Sequence, residues 1–466
     1  MAAALASSNA TDRIQQQIAA YAHGLHFDSL PAAVTDAAKL HMVDSIGALI
    51  AGFDGEPCRI ARKLAADLPF PDGTTVVGTR MKTTLDLAAF VNGTTSRQAE
   101  IAGRYDMPGS FGAHTSDAVL PLLSVAEHVH ASGRELITAI VLAYELCSRI
   151  SHFFRNHGFD NTNLSCLAIA AGAARLMGLQ REGIAQCLSM AVVPGAILKQ
   201  AKSGRLTMFK AVVSGAAARH AVFAAMLARA GMAGPNLPFE GKAGWCDHVA
   251  GARFSLDVLG GGGTPYTILD TRIKIRPAAG PAIASILAAE KLAPIGIRDV
   301  REVLVEVNGM CMQRTVPGGE PPWPLESRED ADHSTPYLVA ASLIHGTLNL
   351  SSYEDEVLCN PDVLALMQKI RMVENPEFTA AYERVPQQNH ARITVTLTDA
   401  RKVVGVAGGD AEDLASPKNA AQVEAKFRSL CESRLGTPGT NAILARLWAL
   451  ETLTDIGDIP PLLVIE

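Results

Sequence analysis

The sequence predicts a mainly α protein, a large all-α helical domain with a smaller α+β domain inserted near its C-terminal end. Apolar residues recur at helical spacing through almost all of the first 260 residues, strand-like alternation is confined to a stretch beyond residue 270, and helical periodicity returns from about 411. The boundaries read as 1–266 for the first part of the helical domain, 267–408 for the α+β unit and 409–466 for the helices that complete the first domain. The 466 residues are 48% hydrophobic and 19% charged, below the roughly 25% charge usual for soluble domains. Much of the surface is therefore expected to be covered, and subunit interfaces are expected with it.

Thr11-Asp12 can cap a first helix that carries Ile14, Ile18 and Tyr21 on one face, and Pro31 stands at the start of a second. Helical patterns follow at 56–68, 83–99, 116–132, 134–154, 163–177, 181–193 and 206–231. Several are rich in Ala and Gly and apolar nearly all round, as central helices packed on many sides are. Gly260–Gly263 reads as a loop, fitting neither phosphate-binding glycine pattern. Strands are predicted at 271–276, 301–308, 392–397 and 402–406, the last two joined by a turn at Thr398–Arg401. Helices are predicted between them near 279–291, 335–347 and 360–371, and after them at 420–435 and 441–453.

Several classes are excluded. With 41 Lys plus Arg against 47 Asp plus Glu, the formal charge is −6, and no basic run exists to neutralise nucleic-acid phosphates. The eight cysteines stand singly with no Cys-x-x-Cys, so no zinc knuckle or iron–sulfur loop is signalled and no metal is expected. The N-terminus lacks a secretory pattern, and the apolar windows 136–147 and 164–174 are too short or interrupted to span a bilayer. A cytoplasmic protein with no membrane partner is the expectation.

One segment gathers acid, base, cation and hydroxyl groups: Glu100, Arg104, Asp106, His114, Ser116 and Asp117, in a loop holding Pro108, Gly109 and Gly112. Such groups suit proton transfer beside an anionic substrate; the plainer reading is a solvated connection between helices. Lys210 stands in an apolar helix, where a lysine either snorkels to water or meets an anion. Arg272, Lys274 and Arg276 fall on one face of the strand predicted at 271–276, a cationic face or simply an exposed one. His333, Ser334 and Tyr337 follow an acidic stretch and can cap or line a helix start.

With these residues in view the chain resembles the MmgE/PrpD family, which includes 2-methylcitrate dehydratase, cis-aconitate decarboxylase and iminodisuccinate epimerase. The anchors are FVNGTTSRQAE, AHTSDAVLPLL, LKQAKSGRLTMFK with the helix after it, PFEGK, IKIRPAAGPAIASI, SREDADHSTPYL and VENPEFTAAY. The third and fifth look closest to the 2-methylcitrate dehydratase branch. The resemblance implies a homodimer, an α+β lid over a helical domain, an active site in the cleft between them and no cofactor. It implies catalytic roles for His114, Glu100, Lys210 and Lys274, and substrate contacts from Ser116, Asn161, Gln200, Arg276 and Tyr337; Arg104, a departure from the family pattern, either grips a further substrate carboxylate or pairs with Glu100 or Asp106 as a structural group. Where many members carry Asp-x-x-Asp-Thr, this chain has Glu100 followed by Gly103 and Arg104. Where they carry a histidine before the small-residue helix it has Asn161, with His157 nearby.

The implied activity is that of a cofactor-independent lyase dehydrating a 2-methylcitrate-like hydroxy tricarboxylate. The same cations would serve an epimerase, isomerase or decarboxylase of a related di- or tricarboxylate. They would equally serve a silent carboxylate-binding homologue.

Overall fold

The protein, seen as a computed structural model, is described over residues 11–315, 325, 327–409, 413–414 and 418–465; residues 1–10, on which part of the leader expectation rests, lie outside them. Asp12 starts α1 (Arg13–Gly24) by accepting the Gln15 amide at 3.0 Å, and its other oxygen accepts the amides of Phe239 and Glu240. There follow α2 (Ala32–Gly52), α3 (Glu56–Ala66), a hairpin of β1 (Pro69–Thr75) and β2 (Lys82–Thr83), then α4 (Leu85–Gln98) and α5 (Val119–His128). Next come α6 (Gly133–Ser151), opened by a Ser132–Glu135 capping box, α7 (Thr162–Leu176), α8 (Arg181–Val192) and α9 (Phe209–Arg229). Apart from α3, whose Ala61 and Ala65 pack with Val76, Leu87 and Val91 in a small cluster of their own, these helices share one core, in which α2, α6 and α7 are buried nearly all round.

Two glycines let α4 and α9 touch. A Cβ on Gly215 would stand 2.1 Å from Thr94 Oγ1 and 2.5 Å from the Phe90 carbonyl oxygen, and one on Gly93 would stand 3.3 Å from Gly215 Cα. No side chain fits there, so the end of α4 and the start of α9 come together. Among the described residues, α9 is also the one helix long and apolar enough to cross a membrane, with 61% of that window buried in the protein.

A second core lies around a four-stranded sheet ordered β4-β3-β5-β6. Its strands are β3 (Val300–Val307), β4 (Ile370–Glu374), β5 (Ala391–Leu397) and β6 (Lys402–Ala407), with β3–β4 parallel and the other pairs antiparallel. In chain order its helices are α10 (Ile283–Glu290), α11 (Gly309–Thr315), α12 (Arg328–Ala331), α13 (Thr335–His345), α14 (Asp355–Leu358), α15 (Pro361–Met367) and α16 (Pro376–Glu383). Val303, Val305, Ile393 and Val395 alternate inward onto Ile283, Ile286 and Leu338. Helix α17 (Ala420–Trp448) breaks at Gly436, where φ is 66°, and returns to the first core, laying Phe427 on Gly47 of α2. The chain is mainly α, as expected.

Two expectations fail locally, and one hairpin is unanticipated. Residues 271–276 form no strand: Arg272 alone pairs, in an isolated bridge with Arg104, and Lys274 turns inward to an ionic partner instead of alternating outward. The helix expected over 360–371 stops at Met367, because Ile370–Glu374 joins β3 as a parallel strand. The β1–β2 hairpin lay within segments that carry no alternation. Seven of the eight free cysteines are buried, Cys359 being exposed.

Candidate active site

Helix α4 ends at Gln98, and two residues on Glu100 adopts a left-handed backbone, φ 53°, a conformation costly for a side chain of this kind. Two contacts hold it. Asp44 of α2 accepts the Gly103 amide at 2.8 Å, and Lys426 of α17 donates to the Ile101 carbonyl at 2.8 Å while pairing with Asp44. Gly103 is pressed against the Arg272 carbonyl oxygen, 2.9 Å from where a Cβ would stand. The Arg104–Arg272 bridge, with both hydrogen bonds at 2.8 Å, then brings Lys274 alongside.

The result is a buried ionic cluster centred on Glu100, which is 1% exposed. Lys274 Nζ donates to Glu100 Oε1 at 2.7 Å and to the Ala278 carbonyl at 3.1 Å. Arg97 pairs with Oε2 of Glu100, and Lys210 Nζ lies 3.4 Å from the same oxygen. Lys210 stands in the first turn of α9, where the helix dipole disfavours a cation. Asp332 offsets this, with both oxygens 2.8 Å from Nζ. His333 pairs through Nδ1 with Asp332, and the same nitrogen lies 3.4 Å from Lys210 Nζ. Arg97 also reaches His114 Nε2 at 3.1 Å and lies 3.9 Å from Asp117, which accepts Ser214 at 2.9 Å.

These neighbours set the protonation states. Burial pushes Glu100 up, but Arg97, Lys274 and Lys210 overcome it and hold the carboxyl well below the usual range. His114 is held well below 6.5 by burial, then by Arg97 and Arg104, so its ring is neutral at pH 7. Burial is the main cause lowering Lys274 from 10.5 to about 8, with Glu100 opposing and Arg97 assisting. Burial raises Asp117. Atoms of Glu100, Asp332 and His333 lie within 4.8 Å of one another, a spacing that a cation could use, yet Arg97, Lys210 and Lys274 already hold those carboxylates.

Of the residues singled out in the sequence, His114, Glu100, Lys210 and Lys274 thus come together. Arg104 stands beside them, bound to Asp106 at 2.7 Å and packed against Gly280. Ser116 donates to the Gly103 carbonyl at 2.7 Å and Asn161 to the Gly112 carbonyl at 3.0 Å, so both shape the loop. The other three are not brought to Glu100. Gln200 is exposed on the turn Lys199–Lys202, and Arg276 forks onto Glu290 at 2.7 and 2.9 Å. Tyr337 is fully buried in the second core with its hydroxyl on the Ser352 carbonyl, because its position in α13 faces inward. His157 is exposed against the Phe111 ring and replaces nothing at Asn161. Sequence reasoning missed Arg97 and Asp332; an arginine in the last turn of an otherwise buried helix was the available signal. A cleft of about 350 Å³ opens between the two cores, lined in part by Ile101, Arg276, Asn349 and Lys426.

Models of the MmgE/PrpD N-terminal and C-terminal domains match residues 16–256 and 277–450. The chain belongs to the MmgE/PrpD family. It is 28% identical over 415 residues to the mitochondrial 2-methylcitrate dehydratase of Yarrowia lipolytica, covering 84% of this chain and 78% of that one. It is 27% identical over 388 residues to the 2-methylcitrate dehydratase of Escherichia coli K12, 78% of each chain. A 2-methylcitrate dehydratase-like protein of Aspergillus oryzae is 27% identical over 425 residues, 84% of this chain and 83% of its own. Gly103 stands at a place where the backbone of Arg272 leaves no room for a side chain.

Proposed function

We propose that this protein is a cofactor-independent hydro-lyase that dehydrates a 2-methylcitrate-like hydroxy tricarboxylate. One observation carries the reading: Arg97, Lys210 and Lys274 converge on a single buried carboxylate with neutral imidazoles beside them. Cations so gathered bind carboxylates and stabilise the enolate-like charge that develops when a proton leaves the neighbouring carbon. The relatives named as 2-methylcitrate dehydratases support this substrate class.

Glu100, held as a strongly acidic carboxylate, is a poor proton donor and a weak base; its work is to gather the cations. Substrate carboxylates take over Lys210 and Lys274 from Asp332 and Glu100 when they enter, while Arg104 stays forked onto Asp106. An imidazole accepts the proton from the carbon beside a carboxylate. That electron pair forms the carbon–carbon double bond as the carbon–oxygen bond breaks. Lys274, with its pKa lowered to about 8, is matched to protonate the departing hydroxyl, which leaves as water.

Because the cluster is buried, the sheet-bearing unit acts as a lid that opens to admit substrate and closes to exclude water. The half-exposed Ile60, Leu64, Leu68 and Phe70 support a homodimer formed on the helical side; a cytoplasmic location belongs to the same reading. The test is ultraviolet absorbance of the purified protein with 2-methylcitrate, citrate or cis-aconitate. A rise with a hydroxy acid, as the unsaturated product forms, is expected; flat traces with both hydroxy acids would overturn the dehydratase reading.

A further inference from the structure

We infer that His333 is the base that removes the proton from carbon, with Asp332 as its positioning residue. This rests on the dehydratase reading and assigns its proton-abstraction step. The two imidazoles of the cluster differ in which nitrogen is engaged. His114 turns Nε2 to Arg97 at 3.1 Å; arginine only donates, so that lone pair is occupied. His333 makes both its contacts through Nδ1, to Asp332 and to Lys210, and Nε2 has no hydrogen bond among the described residues. A carboxylate accepting from Nδ1–H fixes the tautomer and leaves the Nε2 lone pair free.

The charges facing each ring separate them further. An imidazolium on His114 would form against Arg97, Arg104 and Lys202 with Glu100 alone favouring it, whereas one on His333 would form beside the Asp332 carboxylate, with Glu100 also favouring it and Lys210 opposing. Burial and Lys210 keep His333 neutral in the unliganded protein, ready to accept a proton. Its side chain is 29% exposed, which gives the proton a route to water.

In the step itself, Nε2 takes the proton from the carbon beside the carboxylate held by Lys210. The electron pair of that bond becomes the double bond, the carbon–oxygen bond breaks, and the hydroxyl takes a proton from Lys274 Nζ. His333 then releases its proton to solvent and Lys274 regains one, so the net change is loss of one water.

The experiment compares the wild type with His333→Asn, His333→Gln, Asp332→Asn and His114→Asn on 2-methylcitrate. It follows absorbance and deuterium uptake at the acidic carbon in D2O. Both His333 variants are expected to lose kcat by about 100-fold or more, with KM little changed and deuterium uptake lost. Asp332→Asn should lower kcat less and move its acid limb to lower pH, since the imidazolium loses its partner. Tricarballylate binding serves as the check that each variant retains its fold. The proposal is overturned if a folded His333 variant keeps kcat within about tenfold of wild type, or if His114→Asn abolishes uptake that His333→Asn retains. A wild type that leaves 2-methylcitrate unchanged would instead sink the dehydratase reading on which the step rests.

Discussion

Two buried ionic groups lie on either side of the loop from Glu100 to Gly103, and they are built differently. On one side Lys426 meets Asp44 alone, and the remaining bonds of the pair go to the Ile101 carbonyl and the Gly103 amide. Every charge there has its opposite, and the pair stitches α17, α2 and the loop together. On the other side Arg97, Lys210 and Lys274 face two low-lying carboxylates, Glu100 and Asp332, while burial raises the third acid, Asp117. A balanced buried pair locks backbone; a group in which three cations converge on one carboxylate is suited to receive an anion. Burial of charge does not by itself mark a site; the convergence of several cations on one carboxylate sets this group apart from the Lys426–Asp44 pair.

The sharpest way to break this contrast is to remove a cation from each group. Lys274→Met should lower dehydration by about 10³-fold, since it takes away both a carboxylate ligand and the proton donor; steady-state absorbance kinetics would show it. Lys426→Met leaves Asp44 buried without its charge, and should cost about 3–5 kcal/mol of stability in denaturant titration, with the added Asp44→Asn change restoring part of it. If the two variants exchanged phenotypes, the assignment of site and stitch would be reversed.

A third prediction concerns pH. The Lys274 pKa is lowered to about 8, so its ammonium form is lost above that value and not above 10.5. The kcat/KM profile should therefore fall as pH rises past about 8; a plateau reaching pH 10 would contradict the role given to Lys274. The smallest effect is expected at Gly103, where Gly103→Ala puts a methyl 2.9 Å from the Arg272 carbonyl. It should cost about 1–3 kcal/mol by overpacking, measured by thermal unfolding, and loosen the bridge that delivers Lys274.

What could be read in advance follows from the range of the forces involved. The helices were legible because their periodicity is local and their core is large; the positions of α4, α6, α7 and α8 follow directly from apolar spacing. Residues 271–276 misled because alternating Ile and cations look the same whether a strand forms or a lysine is drawn into a buried site. Strand β4 was hidden because its partner, β3, lies about sixty residues earlier and no local signal records the pairing. Within the site, Glu100, His114, Lys210 and Lys274 could be named from residue type and resemblance. Tyr337 could not be separated from a core tyrosine. Arg97 and the Asp332–His333 pair became evident only when three-dimensional packing set them around Glu100.

The central claim is that the Glu100 cluster is a tricarboxylate site, and titration calorimetry with tricarballylate, which lacks the hydroxyl to be lost, tests it without requiring turnover. The wild type should bind, more weakly as salt is raised, and Lys210→Ala should abolish the heat of binding while unfolding cooperatively. Equal binding by the two folded proteins would contradict the claim and place the ligand elsewhere.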